Sequence, residues 1–304
     1  MARSRFVGDA GLTVRMTTVM FLLGALFVAL VVGLAYAAGG GLGILIGIGG
    51  IGFAVYQWAN SDKVAMRAMR AREVTPEQAP ELHGMVDRLC ALADMPKPRV
   101  GVADTPVPNA FATGRSPQRS VVCVTTGILD MLTAEELEGV LAHELSHVAH
   151  RDVLVMTVAS SAGIAAGMLT QGARFGGLGF FGRRDNNGGL PVWLVVLVVS
   201  LAVYAISFVL LRLLSRYREL AADRAGAYLT MQPGALASAL QKITGGINQI
   251  PQRDLRQVGA ASALCIAPAI SGVSLKTLTS THPSLEQRLE QLARIQAELS
   301  RPSA

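Results

Sequence analysis

The stretch Leu141-Ala142-His143-Glu144-Leu145-Ser146-His147 decides how this 304-residue chain is organised. Its two histidines are four residues apart, about one helical turn, so both imidazoles project from the same face of a helix. Two histidines at this spacing can hold one face of a zinc ion, and Glu144 lies where it can take a proton from a water molecule that the zinc activates. The stretch therefore predicts a catalytic metal site.

The sequence context favours this interpretation over the alternative, an amphipathic helix whose charged residues are simply solvated. The segment Thr133-Ala134-Glu135-Glu136 is a capping box, which predicts that a helix begins just before the motif. Apolar residues then recur at helical spacing, namely Leu137, Val140, Leu141, Leu145 and Val148. The motif is thus expected inside a helix with one buried face.

The composition is that of a membrane protein. The chain is 51% hydrophobic and 16% charged, with a mean hydropathy of +0.42, which is too apolar for an ordinary soluble protein. The net charge of +6 does not indicate nucleic acid as a partner, because no aromatic and basic binding motif accompanies it. The basic residues instead cluster beside apolar runs, as cytoplasmic flanks of membrane spans do. The scattered cysteines, Cys90, Cys123 and Cys265, predict neither a disulfide framework nor a thiolate zinc site.

Four apolar runs predict four transmembrane helices in a lipid bilayer; they cover residues 16–38, 41–58, 153–170 and 190–211. The first two runs are expected to form a hairpin with both ends in the cytoplasm, since arginines precede it and basic residues follow it. An alternative is cleavage after Ala35-Tyr36-Ala37 as in a signal peptide, but the run is long and a second one follows at once.

These runs divide the chain into four parts. Residues 1–59 form the hairpin, and 60–152 form the first part of a cytoplasmic catalytic domain. Residues 153–211 contain the third and fourth spans with a Gly-rich loop at 171–189, and 212–304 complete the catalytic domain. Three arginines in that loop (Arg174, Arg183 and Arg184) conflict with the positive-inside rule, because the predicted topology places the loop on the side opposite to the cytoplasm. No part of the sequence specifies an oligomeric state.

The catalytic domain is predicted to be α+β with a small sheet. Helices are expected over 77–95 and from Leu285 to the C-terminus, and strands over 99–104 and 120–126. Residues 106–114 are expected to be a turn-rich loop. The strand at 120–126 precedes the motif helix, and it could be either an open edge that pairs with an extended peptide or an internal strand.

The third metal ligand is expected after the fourth span. With two spans between them, the motif and residues 211–231 lie on the same side of the membrane, and Glu219 and Asp223 are one helical turn apart there. Glu219 then completes a site with His143 and His147, and water takes the fourth position. His150 is the competing ligand, although it is displaced along the helix axis. Asp223 is suited to accept a hydrogen bond from a ligand imidazole.

The chain resembles the HtpX membrane metalloproteases, relatives of the CAAX prenyl endopeptidases, over nearly its full length. Besides the N-terminal hairpin, the segments that carry the resemblance are Pro108-Asn109-Ala110-Phe111-Ala112-Thr113-Gly114, Thr125-Thr126-Gly127, His143-Glu144-Leu145-Ser146-His147, Ser215-Arg216-x-Arg218-Glu219-x-x-Ala222-Asp223 and Thr281-His282-Pro283.

The resemblance implies a gluzincin-like site with one Zn²⁺ per chain and Glu219 as its third ligand. It also implies that His282 and Arg288 stabilise the oxyanion, and that Asn109, with Ala110 and Phe111, lies in the substrate groove. The implied function is proteolytic quality control, a stress-response task, at the bacterial inner membrane. Its substrates would be misfolded membrane proteins and unfolded polypeptides, cleaved at the cytoplasmic face.

Two other functions stay open at this point. An enzyme that processes prenylated C-termini would need more spans to enclose a chamber, and this chain is too short for them. A non-enzymatic zinc-binding scaffold or transporter would not need Glu144. Its charged residues should lie within the spans, whereas these apolar runs carry essentially no ionisable residue.

Overall fold

The computed structural model describes residues 8–37, 48–49, 51–52, 55–56, 58–152, 192–249 and 283–301. In these ranges the chain is mainly helical with one small mixed sheet. The helices are α1 (Ala10–Ala37), α2 (Ser61–Ala68), α3 (Pro80–Ala93), α4 (Thr126–Met131), α5 (Ala134–Ala149), α6 (Val192–Thr230), α7 (Pro233–Gln249) and α8 (Leu285–Leu299). The strands are β1 (Ala71–Glu73), β2 (Arg99–Ala103), β3 (Ala110–Ser116) and β4 (Arg119–Thr125).

The chain forms two compact units. One contains Met1–Thr13, Asn60–Val153 and Ser215–Ala304, and the other contains Val14–Ala59 and Leu154–Leu214. In the second unit, two described helices are long and apolar enough to cross a membrane, over Ala10–Ala29 and Leu197–Thr230, although each extends into the first unit. Large apolar side chains on them are exposed, including Phe21 and Val198, as expected for a surface that faces lipid. Of the other two predicted spans, 41–58 is described only in part and 153–170 lies outside the described residues.

The sheet has the strand order β1-β2-β4-β3. The β2/β4 pair is parallel, and the β1/β2 and β3/β4 pairs are antiparallel. The sequence prediction of a loop over 106–114 is therefore wrong from Ala110 onward. The segment Ala110–Ser116 has a single β-branched residue, Thr113, and so looks like a loop, but it pairs with β4 and is buried from Ala110 to Gly114.

The strand predicted at 120–126 is observed as β4, and it is internal. It pairs with β2 on one side and with β3 on the other, so it offers no open edge. Within the described part of the chain, β1 and β3 are the two end strands of the sheet, and β3 has β4 as its partner. Any strand addition on this side would therefore involve β3.

Helix α5 lies at the centre of the larger hydrophobic core. Its apolar residues pack with α3, α7 and one face of the sheet, including Ala112 and Val122. The opposite face of the sheet packs against α2 through Phe111 and Cys123. Helix α5 is thus buried along nearly its whole length, and the two motif histidines sit in the interior of the domain.

The predicted capping box starts α5 as expected. The Thr133 hydroxyl accepts from the Glu136 nitrogen at 3.3 Å, and the Glu136 carboxylate accepts from the Thr133 nitrogen at 2.9 Å. Glu136 also accepts from Ser238 at 2.6 Å and from Lys242 at 2.8 Å, both on α7. The same carboxylate therefore caps α5 and joins it to α7.

Candidate metal centre

Helices α5 and α6 bring three potential metal ligands together. The Nε2 atoms of His143 and His147 are 3.2 Å apart. One Glu219 oxygen lies 3.6 Å from the first of these nitrogens, and the other lies 3.5 Å from the second. All three side chains are buried. Among the described residues, this is the group of three that could hold an ion.

The spacing of these atoms fits zinc. Ligand atoms at about 2.0–2.1 Å from a tetrahedral Zn²⁺ are roughly 3.3 Å from one another. The two histidine nitrogens, 3.2 Å apart, are close to this value, and each has one of the two Glu219 oxygens at 3.5–3.6 Å. The donor set of two imidazoles and one carboxylate also leaves a fourth position for water or substrate, as in catalytic zinc sites.

Asp223 contacts the His143 ring at Nδ1, the nitrogen that does not face the cluster. One of its oxygens lies 2.9 Å from His143 Nδ1, and Arg288 binds both oxygens, at 2.6 and 2.7 Å. Burial would raise the pKa of Asp223, but Arg288 and His143 lower it below its usual value. Burial alone would lower the pKa of His143. Hydrogen bonds with Asp223 and Glu219 outweigh burial and raise this pKa to about 9. Metal binding at this site should therefore release a proton.

Asp152 makes the matching contact with His147, a contact that our sequence analysis missed. Its Oδ2 lies 2.6 Å from His147 Nδ1 and 2.9 Å from Arg218 Nε. Burial would raise the pKa of Asp152, but Arg218 and His147 keep it below the usual range. The available signal was the position of Asp152 just past the end of the motif helix, with Arg218 directly before Glu219.

Glu144 is buried beside the two histidines, and its carboxylate faces the sheet. One of its oxygens accepts a hydrogen bond from the Ala112 backbone nitrogen of β3 at 2.9 Å. Burial raises the pKa of Glu144, and the two histidines oppose this. A carboxylate with a raised pKa accepts a proton more readily, which suits a general base.

The residues predicted for the substrate groove lie at the start of β3. The Asn109 backbone is fastened to Thr125, whose hydroxyl accepts from the Asn109 nitrogen at 2.9 Å. Ala110 and Phe111 are buried, and the Phe111 side chain packs in the core under α2. The Phe111 side chain is therefore not available to a substrate.

The remaining predicted residues are placed as follows. Arg288 is buried, and its position near the start of α8 follows a capping box formed by Ser284 and Gln287. His150, the competing ligand, caps the C-terminus of α5 and does not belong to the three-residue group. His282 lies outside the described residues.

Comparison with known proteins gives one consistent answer. The model of peptidase family M48 matches residues 76–296. The chain is 54% identical to Protease HtpX homolog 1 of Streptomyces coelicolor, over 99% of this chain and 98% of that one. It is 49% identical to the Protease HtpX homolog of Moorella thermoacetica, over 98% of both chains. The crystal structure of Ste24p from S. mikatae has the same fold, with a TM-score of 0.54 at 17% identity, covering 92% of this chain and 65% of that chain.

The family match covers more than half of the chain, and the two relatives align over nearly all of it. The non-enzymatic scaffold or transporter that the sequence left open is therefore excluded. The chain belongs to peptidase family M48 and is a membrane metalloprotease of the HtpX type.

Proposed function

We propose that this protein is a zinc-dependent endopeptidase that cleaves misfolded or damaged membrane proteins at the cytoplasmic face, in proteolytic quality control. One Zn²⁺ per chain would be held by His143, His147 and Glu219. The observation that carries the proposal is the position of Glu144, beside the three candidate ligands and within hydrogen-bond distance of β3, an end strand of the sheet.

The chemistry follows from these positions. Zinc, when bound, supplies a Lewis acid that activates water and polarises the scissile carbonyl. Glu144 takes the proton of the attacking water and later delivers it to the leaving amine. An extended substrate would lie along the free edge of β3, beside the predicted groove residues Asn109, Ala110 and Phe111. Because the Asn109 backbone is bonded to Thr125, Ala110 is the one of these three whose backbone can face that edge. The requirement for an extended partner favours unfolded tails and loops as substrates.

Arg288 and His282 are proposed to offset the negative charge that develops on the carbonyl oxygen. The support for Arg288 is its burial beside the ligands, with Nη1 4.0 Å from Glu219 Oε2 while Nε and Nη2 hold Asp223. Electrostatic stabilisation of this kind is often the largest single contribution to catalysis. The role of His282 rests on the resemblance.

The proposed setting is the bacterial inner membrane. Four spans within 1–59 and 153–211 would anchor a cytoplasmic catalytic domain formed by 60–152 and 212–304. Two described apolar helices support the anchoring, and the basic residues at 63, 67, 70 and 72 support the cytoplasmic orientation. Reporter fusions after residues 60, 152, 180 and 212 would test this topology, and a periplasmic signal from the fusion at 152 would contradict it.

The decisive experiment compares the wild type with Glu144→Gln. Both are purified in detergent, zinc content is measured, and each is incubated with an unfolded soluble protein and with a misfolded membrane protein. We expect wild-type cleavage, a loss of about 10²-fold or more in the variant, and about one zinc in each. Equal cleavage by the two forms would mean that Glu144 is not the base.

The two substrates separate the activity from its biological role. Cleavage of both supports the proposal. Cleavage confined to a prenylated C-terminal peptide, tested in parallel, would contradict the quality-control role and support the processing alternative.

A further inference from the structure

The C-terminal end of α5 turns back on itself just after the second motif histidine. His150 caps the helix, and Arg151 follows with a φ of +58°, in the left-handed region that side chains other than glycine rarely adopt. The Arg151 nitrogen bonds to the Val148 carbonyl at 3.1 Å. Because the chain changes direction here, the next residue, Asp152, lies beside His147.

Asp152 joins two elements at this point. It is fully buried, and a single oxygen lies 2.6 Å from His147 Nδ1 on α5 and 2.9 Å from Arg218 Nε on α6. Arg218 precedes the ligand Glu219 in the chain. The Asp152 carboxylate therefore contacts the proposed ligand His147 directly. Through the Arg218 guanidinium it also contacts the helical turn that carries Glu219.

The contact also selects the nitrogen that His147 presents to a metal. An imidazole whose Nδ1–H donates to a carboxylate has its lone pair on Nε2. His147 Nε2 is the atom that faces the cluster, 3.2 Å from His143 Nε2 and 3.5 Å from Glu219 Oε1. Asp223 and Arg288 produce the same arrangement on His143.

We propose that Asp152, held in place by Arg218, is a positioning residue that fixes the tautomer and the ring orientation of His147 for metal binding. The proposal rests on the metal site of the proposed function. It adds a second carboxylate and guanidinium pair to the Asp223 and Arg288 pair, so that each ligand imidazole is oriented independently.

The test measures zinc affinity directly. The full-length, detergent-solubilised protein is titrated with zinc against a chromogenic chelator, and its Co²⁺ form is examined by visible absorption. We expect Asp152→Asn to weaken zinc binding about 10–100-fold and to change the Co²⁺ bands. A folded Asp152→Asn variant with wild-type affinity and an unchanged Co²⁺ spectrum would overturn the proposal.

Glu136→Gln is the matched control. Glu136 is also a buried carboxylate of α5 that is held by a cation, Lys242 at 2.8 Å, and it makes none of the contacts described within the metal cluster. A merely structural effect would appear in both variants as a lower melting temperature of the metal-free form. We expect only the Asp152 variant to lose zinc affinity, and equal loss in both would overturn the proposal.

Two further outcomes keep the result interpretable. If Asp152→Asn does not fold, Asp152→Glu takes its place, because it keeps the charge and displaces the carboxylate; weakened zinc binding again supports the proposal and wild-type binding opposes it. A wild type that binds zinc without cleaving any protein contradicts the proposed function, yet the affinity comparison still decides the role of Asp152. A wild type that binds no zinc overturns both.

Discussion

Gly226 on α6 lies directly against the backbone of His143 on α5. A β-carbon built on Gly226 would come within 3.0 Å of the His143 nitrogen and 3.2 Å of its Cα atom. The absence of a side chain therefore lets the two helices approach closely at a proposed ligand. One turn earlier on α6, Asp223 then reaches His143 Nδ1 at 2.9 Å.

We expect Gly226→Ala to push α5 and α6 apart, because the atoms in the way are backbone. The free energy of unfolding should fall by about 1–3 kcal/mol, and zinc affinity should fall roughly 10-fold as Asp223 moves from the ring. Gly139→Ala is the control, since its β-carbon would meet the Leu236 backbone of α7 at 3.2 Å. It should destabilise the protein similarly and leave zinc affinity nearly unchanged; a zinc loss equal to that of Gly226→Ala would contradict the prediction.

Metal removal should lower the thermal stability, because zinc binds only the folded arrangement of His143, His147 and Glu219. At a free zinc concentration of 100 times Kd, the ion stabilises the fold by about 2.7 kcal/mol. A chelator should therefore lower the melting temperature of the wild type and of Glu144→Gln alike. It should have little effect on Glu219→Ala, and an unchanged chelator response in that variant would remove Glu219 from the ligand set.

Replacing Arg288 by lysine should separate its two proposed roles. Lysine cannot make the paired contacts that Arg288 makes with both oxygens of Asp223, so zinc affinity should fall about 10-fold. If Arg288 also stabilises the oxyanion, kcat measured at saturating zinc should fall about 10²-fold, with little change in KM. A normal kcat under these conditions would leave Arg288 with the structural role alone.

Glu136 should make stability depend on acid. Burial alone would raise the pKa of Glu136. Hydrogen bonds from Lys242, Ser238 and the Thr133 backbone together outweigh burial, so the folded-state pKa lies below the unfolded-state pKa. The resulting stabilisation is present above the unfolded-state pKa, near 4.3. It is lost as the pH falls through the folded-state pKa. Glu136→Gln should cost about 1–3 kcal/mol at pH 7, and the difference from the wild type should shrink below pH 4. A difference that does not depend on pH would contradict this.

The thiols of Cys90 and Cys123 should be unreactive in the folded protein. Burial raises the pKa of Cys90 to about 11 and that of Cys123 to about 12, so little thiolate exists at neutral pH. In a Cys265→Ser background, a maleimide reagent at pH 7 should label neither residue until denaturant is added. Rapid labelling of the native form would show that one of them is accessible.

Several features of this protein follow from local sequence. The capping box at Thr133 predicted the start of α5, and the four-residue spacing of His143 and His147 placed both imidazoles on one face. These are interactions within one or two helical turns, so the sequence contains all the partners. Family resemblance likewise predicted a metalloprotease, and the comparisons confirm it.

Tertiary structure decided the features whose partners are distant in the chain. Ala110–Ser116 looked like a loop until pairing with β4 made it the last strand of the sheet. The contact of Asp152 with His147 depends on a left-handed turn and on an arginine 66 positions further on, at 218. Sequence by itself determined the candidate ligand types, the spacing of the two histidines and the apolar segments, because these are local properties of the chain. Only the tertiary structure decided which carboxylate orients each histidine. Asp152 reaches His147 through the left-handed turn after α5, and Asp223 reaches His143 through the packing of α6 against α5.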